Sequence, residues 1–171
     1  MEDVLDTARR VVSTTAARWR TLVDTVPAEL LERAPAPGEW SAADCLRHLL
    51  LIERSVMPVR VRHVLEGRPD LPAFDPAASA APMAERTPAE MVDAFVALRG
   101  ESEAMLARVT PADLDRSSGH PEYGQVTMRV LLNTWAAHDL QHTVQAEEAL
   151  MQAFLPGTGP WRFRFADHEV G

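Results

Sequence analysis

Apolar residues recur along most of the chain at three- and four-residue intervals, the spacing of a helix that buries one face. Four long segments show this spacing, and strand signals are nearly absent. The first segment covers residues 1–26, and Pro27 closes it because proline has no backbone N–H to continue a helix. The pattern therefore predicts an all-α protein.

Start and stop signals mark the second helix. Ser41 has the properties of an N-cap, and Asp44, three residues later, completes an arrangement like a capping box. The helical spacing continues to about Glu66, and Gly67 follows at a position where glycine commonly ends a helix. We expect one continuous helix between these two signals.

Two further helices follow in the second half of the chain. Thr87, Pro88 and Glu90 are typical of the cap, the first residue and the capping-box partner of a third helix. Residues 110–126, TPADLDRSSGHPEYGQV, are expected to be a loop with one short helical turn at PADL. The fourth helix is predicted to cover about residues 127–154.

The connection between the second and third helices, residues 67–87, indicates the topology. A tight helical hairpin uses about 2–8 residues, far fewer than this segment contains. An extended segment of this length reaches about 60 Å, whereas a helix in this chain would be about 30–38 Å long. The predicted fold is a four-helix bundle at residues 1–153 with a long crossover between helices 2 and 3, followed by a C-terminal tail at residues 154–171.

Charge and composition limit the partners. The formal net charge is −8 and the chain contains no lysine, so we expect no nucleic-acid partner, because phosphate binding needs clustered basic residues. No apolar run reaches the roughly 18–20 residues of a membrane span, so we expect no membrane partner. The N-terminus lacks the pattern of a secretory signal, and Cys45 is the single cysteine. A cytoplasmic protein is the resulting expectation.

The fourth helix carries two histidines at the spacing of a bundle seam. His138 and His142 lie four residues apart, so both imidazoles lie on one helix face, with Cβ atoms about 5–6 Å apart. Such a pair can bind one metal ion, as in helical zinc sites. The alternative is a pair of core histidines held by hydrogen bonds alone, and the spacing leaves both readings open.

A third metal ligand would have to come from another helix. His48 lies beside the apolar row of the second helix and can point inward. His63 continues that row, but lies about 22 Å further along a straight helix, so these two residues cannot share an ion. His120 lies in the expected loop and His168 in the tail, where each is most simply a solvated residue.

Two motifs resemble the DinB/YfiT-like superfamily of four-helix bundles, GEWSAADCLRHLLLIER in the second helix and HDLQH in the fourth. Members of that family carry Trp-Ser at a helix start, a histidine several residues later, and His-x-x-x-His in the last helix. Trp40 and Ser41 match the helix start, while His48, His138 and His142 match the metal ligands. The resemblance covers the predicted bundle and leaves the tail outside.

The resemblance implies a divalent metal ion, zinc or nickel, as the cofactor. Three neutral imidazoles would leave a coordination position open, which is the catalytic rather than the structural pattern. Family members with assigned activity resemble transferases or isomerases that use low-molecular-weight thiols, bacillithiol or mycothiol. We therefore expect S-transfer to a small-molecule substrate. A metal-dependent hydrolase and a non-catalytic, stress-related metal-binding protein are the alternatives.

Four polar residues near the expected ligands are candidates for orienting them. Gln145 lies on the seam one turn after the histidine pair and is the best placed of the four. Asp139 points about 100° away around the helix, so we expect it to face solvent or a neighbouring helix. Glu53 could reach across helices, but the simpler expectation places it at the surface. Asp44 is expected as the helix cap.

Other residues have simpler expected roles. Cys45 is close to the proposed ligand in the second helix, but a free buried cysteine usually behaves as a small hydrophobe. The methionines are expected to fill the core. In the tail, residues 161–165, WRFRF, alternate aromatic and basic side chains. This segment could form a strand, cover the bundle or contact a second subunit, and a homodimer is therefore an expectation.

Overall fold

A computed structural model describes residues 4–74 and 86–169 of the chain. Within these residues the chain forms six α-helices, a short β-hairpin and several 3₁₀ turns. None of the helices in this part of the chain is long and apolar enough to cross a bilayer. The helices are α1 (Val4–Thr25), α2 (Ala28–Leu31), α3 (Ala42–Ser55), α4 (Met57–Leu65), α5 (Pro88–Leu106) and α6 (Met128–Met151).

Both predicted capping boxes are present. At the start of α3, Ser41 Oγ accepts a hydrogen bond from the Asp44 N–H (3.1 Å), and the Asp44 carboxylate accepts one from the Ser41 N–H (3.0 Å). Thr87 and Glu90 form the same reciprocal pair at the start of α5. These bonds satisfy N–H groups that have no partner inside the helix. The first cap fixes the start of α3 and thereby the position of Trp40 just before it.

The second predicted helix is interrupted, which corrects the expectation of one continuous helix. Val56 separates α3 from α4 and has non-helical angles, φ −124° and ψ −74°. Pro58 explains the interruption, because its ring has no N–H for the carbonyl group of Arg54 and clashes with that group in a regular helix. The end of the predicted helix is confirmed, since α4 ends at Leu65, next to Gly67 with φ +70°.

Two core clusters fill the bundle, one towards each end. The first contains the start of α1, the ends of α3 and α5, and the start of α6, with Leu5, Met105 and Leu132 among its members. The second contains the end of α1, the starts of α3 and α5, and the end of α6, with Trp19 and Met91 among its members. The helices α3 and α5 therefore run parallel to each other, and α6 runs antiparallel to both.

The helices are arranged as a four-membered ring. Both α1 and α3 pack against α5 and against α6. A parallel pair of helices such as α3 and α5 needs a connection that returns along the length of the bundle. The segment that makes this connection includes residues 75–85, which lie outside the described residues, so the path of the crossover stays a prediction.

Residues 117–127 form a hairpin where the sequence predicts a loop, so that part of the prediction is wrong. The strands β1 (Ser117–His120) and β2 (Gly124–Thr127) pair antiparallel. Gly124 allows the tight turn because its φ is +70°. The hairpin is held to the bundle by Gly119, whose N–H and carbonyl oxygen bond to the backbone of residues 69 and 71 (2.7 and 2.8 Å). The short helical turn expected at PADL is present, as a 3₁₀ turn at Pro111–Asp113.

The tail forms 3₁₀ turns from Leu155 to His168, interrupted at Gly159, where φ is +56°. The strand considered for WRFRF is therefore absent from the described residues of the tail. Trp161 and Phe163 are 61% and 71% exposed, so these two aromatic side chains do not cover the bundle either. The domain boundary expected between residues 153 and 154 stays a prediction.

Candidate metal centre

The three histidines of the family motif meet between α3 and α6. His48 comes from α3, and His138 and His142 come from consecutive turns of α6. Each offers one ring nitrogen to a group in which all three nitrogens lie within 4.8 Å of one another. Among the His, Cys, Asp and Glu side chains of the described part of the chain, these three histidines form the one group placed to hold a metal ion. The structure thus brings together all three predicted ligands.

The contact between the two helices is made by imidazole nitrogens. The Nε2 atoms of His48 and His138 face each other at 3.0 Å. Two neutral imidazoles can make this contact only if one of the two nitrogens carries the proton. A metal ion needs both Nε2 atoms bare, which a neutral imidazole supplies when its single hydrogen is on Nδ1. The arrangement therefore fits a cation as well as it fits a hydrogen bond.

Burial keeps the cluster neutral. The pKa of His48 and the pKa of His138 are each lowered to about 4, mainly because burial disfavours the charged ring and also because His142 lies close by. His142 is 7% exposed, and burial lowers its pKa as well. Neutral imidazole is the form that binds metal, so near neutral pH the site needs no deprotonation step before an ion binds.

The outer ring nitrogens differ in their partners. His142 Nδ1 lies 2.9 Å from Gln145 Oε1, so this nitrogen donates its hydrogen and leaves Nε2 bare for a ligand. Gln145 therefore has the orienting position that the sequence predicts for it. His138 Nδ1 is buried and has no hydrogen-bond partner within the described residues.

Trp40 covers one side of the cluster. Its ring stacks on that of His142 with centroids 5.6 Å apart and planes tilted by 22°, and it lies 5.1 Å from the ring of His48. The indole is 39% exposed, so one part of it faces the imidazoles while another part faces solvent. Its position just before Ser41, the cap of α3, holds this aromatic ring against the imidazoles.

A family model for the DinB superfamily matches residues 12–146, which include all three histidines. The chain belongs to the DinB superfamily. This match confirms the family indicated by the two sequence motifs. Among curated proteins, none matches this DinB-superfamily chain at a significant level.

A solved structure confirms the predicted all-α four-helix bundle for this DinB-superfamily chain. YfiT from Bacillus subtilis matches it with a TM-score of 0.73 and 18% sequence identity, covering 90% of this chain and 89% of YfiT. That protein is described as a probable metal-dependent hydrolase with an unusual four-helix bundle topology. At this identity, the likeness shows a shared fold.

The other three histidines of this DinB-superfamily chain lie outside the cluster. His63 Nδ1 contacts the carbonyl oxygen of Asp70 at 3.1 Å. The ring of His120 stacks on Tyr123 in the hairpin, with centroids 4.6 Å apart. His168 is exposed near the end of the tail. The structure therefore separates these three from the predicted ligands, as the sequence indicates.

Glu53 and Asp139, two of the polar candidates, are both buried, which was not expected for Glu53. Glu53 is 2% exposed, so the expectation of a surface residue is wrong. Asp139 is 1% exposed and therefore does not face solvent, although it does point towards neighbouring helices. Both carboxyl groups face Arg99 on α5, which is itself 1% exposed. Burial raises the pKa of each carboxyl group, and the nearby guanidinium group opposes the shift.

Arg99, the residue at the centre of this buried polar group, was not among the residues predicted from the sequence. A signal was present, because Arg99 follows Phe95 by four residues on the buried stripe of α5. Charged residues are rarely buried unless they are paired, so an arginine on an apolar stripe indicates carboxylates on the facing helices.

The remaining predictions concern Asp44, Cys45 and the methionines. Asp44 caps α3, as expected. Cys45 is fully buried, and burial raises the pKa of its thiol to about 12, which makes it a poor nucleophile. The expected role of small hydrophobe fits this environment. Four methionines are core residues as predicted, namely Met57, Met91, Met105 and Met128.

Proposed function

We propose that this protein is a divalent-metal-dependent enzyme and that metal-assisted hydrolysis is its best-supported reaction. One observation carries the proposal: three neutral imidazoles from two helices present nitrogens within 4.8 Å of one another. In the described part of the chain, no fourth His, Cys, Asp or Glu joins this group. Three protein ligands and an open position are typical of catalytic zinc sites, whereas structural sites have four protein ligands.

The side chains around the cluster have distinct roles in this proposal. His48, His138 and His142 would hold the ion. Gln145 fixes the ring orientation of His142, and Trp40 limits the access of water from one side. When bound, a divalent ion polarises a carbonyl or phosphoryl oxygen and makes a coordinated water more acidic.

A shallow, open groove of about 480 Å³, lined by residues of α6 alone, lies next to the cluster and is a candidate position for a small-molecule substrate. Gln145 lies both in the wall of this groove and against His142, so a molecule in the groove would lie one side chain away from the metal ligands. Exposed Leu140 and Val144 supply apolar surface, whereas Gln141 and Glu148 supply polar surface. The lining suits a small molecule with both apolar and polar parts.

The comparison with YfiT supports hydrolysis through that protein's description, and the family resemblance supports S-transfer from bacillithiol or mycothiol. No observation in the described residues identifies a thiol pocket, so S-transfer stays a prediction. The same holds for the choice between zinc and nickel, because imidazole nitrogen suits both ions. A non-catalytic metal-binding protein remains the alternative of a different class.

Metal analysis of protein purified without a histidine tag tests the site. We expect about one equivalent of zinc or nickel per chain in the wild type, and less than about a tenth of that in His48→Ala, His138→Ala or His142→Ala, because two imidazoles bind metal much more weakly than three. His63→Ala is the matched control and should retain the ion. Equal loss in this control, or a wild-type content below about half an equivalent, would contradict the site.

Omission of the thiol separates the two reactions. A hydrolase should cleave an activated ester such as 4-nitrophenyl acetate without any thiol, and should lose this activity on chelation or with His142→Ala. An S-transferase should instead require bacillithiol or mycothiol to modify an electrophile such as 1-chloro-2,4-dinitrobenzene. Stoichiometric metal binding without either activity would favour the non-catalytic alternative.

A further inference from the structure

One guanidinium group in the core contacts all four long helices of the bundle. Arg99 belongs to α5, and its Nη1 donates hydrogen bonds to the carbonyl oxygen of Val12 in α1 (2.7 Å) and to Asp139 Oδ2 in α6 (2.6 Å). Its Nη2 lies 2.9 Å from Glu53 Oε2 in α3. Ser102, one turn further along α5, donates to the other oxygen of Glu53 (2.5 Å).

The same contacts join the two helices that carry the metal ligands. Glu53 lies five residues after His48 on α3, and Asp139 directly follows His138 on α6. Each carboxyl group thus belongs to the same rigid helix as a proposed ligand. The planar guanidinium group lies between them, hydrogen-bonded to Asp139 and ion-paired with Glu53, and its rigid plane sets the directions of its N–H groups, which a lysine ammonium group cannot do.

Stability alone is a weak explanation for this arrangement. Three ionisable side chains, each at most 2% exposed, lose most of their hydration in the core. Replacement of such a buried ionic group by apolar residues of similar volume is often neutral or stabilising. The guanidinium carbon lies 4.8 Å from the centroid of the Phe95 ring and 5.5 Å from that of the Trp135 ring. These two rings complete a layer that excludes water. A role in positioning the helices would explain why the core contains an ionic group that stability does not require.

We propose that Arg99 is a positioning residue that sets the separation of α3 and α6 and thereby holds the three imidazoles at metal-binding distance. This inference rests on the proposed metal site. Ligands on different helices must be held to within about 0.5 Å for a metal site to bind well, and one buried contact from Arg99 to a carboxylate on each ligand helix supplies that restraint.

Metal affinity of the Arg99→Met variant is the first test. We expect its Kd for Zn²⁺, measured by competition with a chromophoric chelator, to rise at least about tenfold at a temperature where the apo-protein is fully folded. The visible absorption spectrum of bound Co²⁺ should change as well, because the ligand geometry changes. Arg99→Lys keeps the charge but loses the planar group with several N–H donors. Its Zn²⁺ affinity should therefore lie between those of the wild type and Arg99→Met.

The matched control separates positioning from general loss of stability. Val61→Ala truncates a fully buried residue of α4, in the first core cluster and outside the polar layer. Its unfolding midpoint should fall, while its Zn²⁺ affinity and Co²⁺ spectrum should match those of the wild type when folded. The positioning role is overturned if Arg99→Met binds Zn²⁺ like the wild type, or if Val61→Ala loses as much affinity at equal folded fraction.

A triple variant keeps the test decisive if Arg99→Met does not fold. Glu53→Leu, Arg99→Met and Asp139→Leu together replace the ionic layer with apolar side chains, so folding should be retained while Zn²⁺ affinity still falls at least about tenfold. Wild-type affinity in the folded triple variant would overturn the inference. Failure of the proposed function looks different, because the wild-type protein itself would then bind no stoichiometric metal.

Discussion

Burial of an imidazole changes the stability of this protein as well as its chemistry. His138 has a folded-state pKa of about 4, whereas an unfolded histidine has about 6.5. Between these values, the unfolded chain takes up a proton that the folded chain does not. Acidification from pH 7 therefore favours unfolding of the metal-free protein, and this contribution is complete once the pH is below about 4.

Substitution of this residue tests the pH effect. The metal-free wild type should lose stability between pH 7 and pH 5, and His138→Gln should lose less over the same range, because the substitution removes one of the groups that protonates only on unfolding. Urea denaturation at the two pH values measures the difference. His63→Gln is the control and should follow the wild type. A pH dependence of His138→Gln equal to that of the wild type would contradict the lowered pKa.

At the scale of residues, the sequence predicts which histidines come together, but not the polar layer beneath them. His138 and His142 share a helix, so their spacing alone places them together, and the family motif supplies His48. The positions of Glu53 and Asp139 depend instead on Arg99, which lies on a third helix. Local spacing contains no information about contacts between distant segments, so Glu53 was assigned to the surface and the contact of Asp139 with Arg99 was not predicted.

Among the secondary-structure elements, the helix starts follow from local chemistry. The caps at Ser41 and Thr87 depend on residues within one turn, and both were predicted. The break at Val56 depends on Pro58, a local signal that the sequence analysis overlooked. The hairpin at residues 117–127 has no alternation of apolar side chains, since its pairing depends on Gly124 and on backbone contacts to residues 69 and 71. Side-chain patterns do not reveal such contacts.

The cap of α5 is testable by one substitution. Thr87→Ala should lower the free energy of unfolding by about 1 kcal/mol, because the Glu90 N–H loses the side-chain oxygen that it binds. Chemical denaturation measures the change. Thr21→Ala, inside α1 and one turn before its end, is the matched control, because its exposed hydroxyl donates to the Ala17 carbonyl and does not cap the start of a helix. Alanine suits a helix interior, so no loss is expected there, and a similar loss in both variants would argue against the cap.

For the whole molecule, the sequence predicts the bundle because each long helix has its own apolar stripe and because the family motif spans two of them. The length of the connection at residues 67–87 predicts that helices 2 and 3 are parallel, and the membership of the two core clusters agrees. The tail has no periodic pattern, so its 3₁₀ turns and its exposed aromatic side chains were not predictable.

The homodimer expected from the tail stays a prediction. Trp161 and Phe163 are exposed, and buried aromatic side chains contribute strongly to subunit interfaces. Sedimentation velocity should show a concentration-dependent dimer for the wild type and a monomer for the Trp161→Ser, Phe163→Ser double variant. A wild-type monomer at every concentration tested would contradict the homodimer.

Because Trp40 stacks on His142, the fluorescence of its indole should report the binding of a metal ion at the cluster. Paramagnetic ions such as Co²⁺ and Ni²⁺ quench indole fluorescence at short range, whereas Zn²⁺ does not. We expect titration with Ni²⁺ to reduce the emission of the wild type until one equivalent is bound, and to reduce that of Trp40→Phe by a smaller fraction, which comes from Trp135 one turn before His138. Equal quenching in the two proteins would place the bound ion away from this ring.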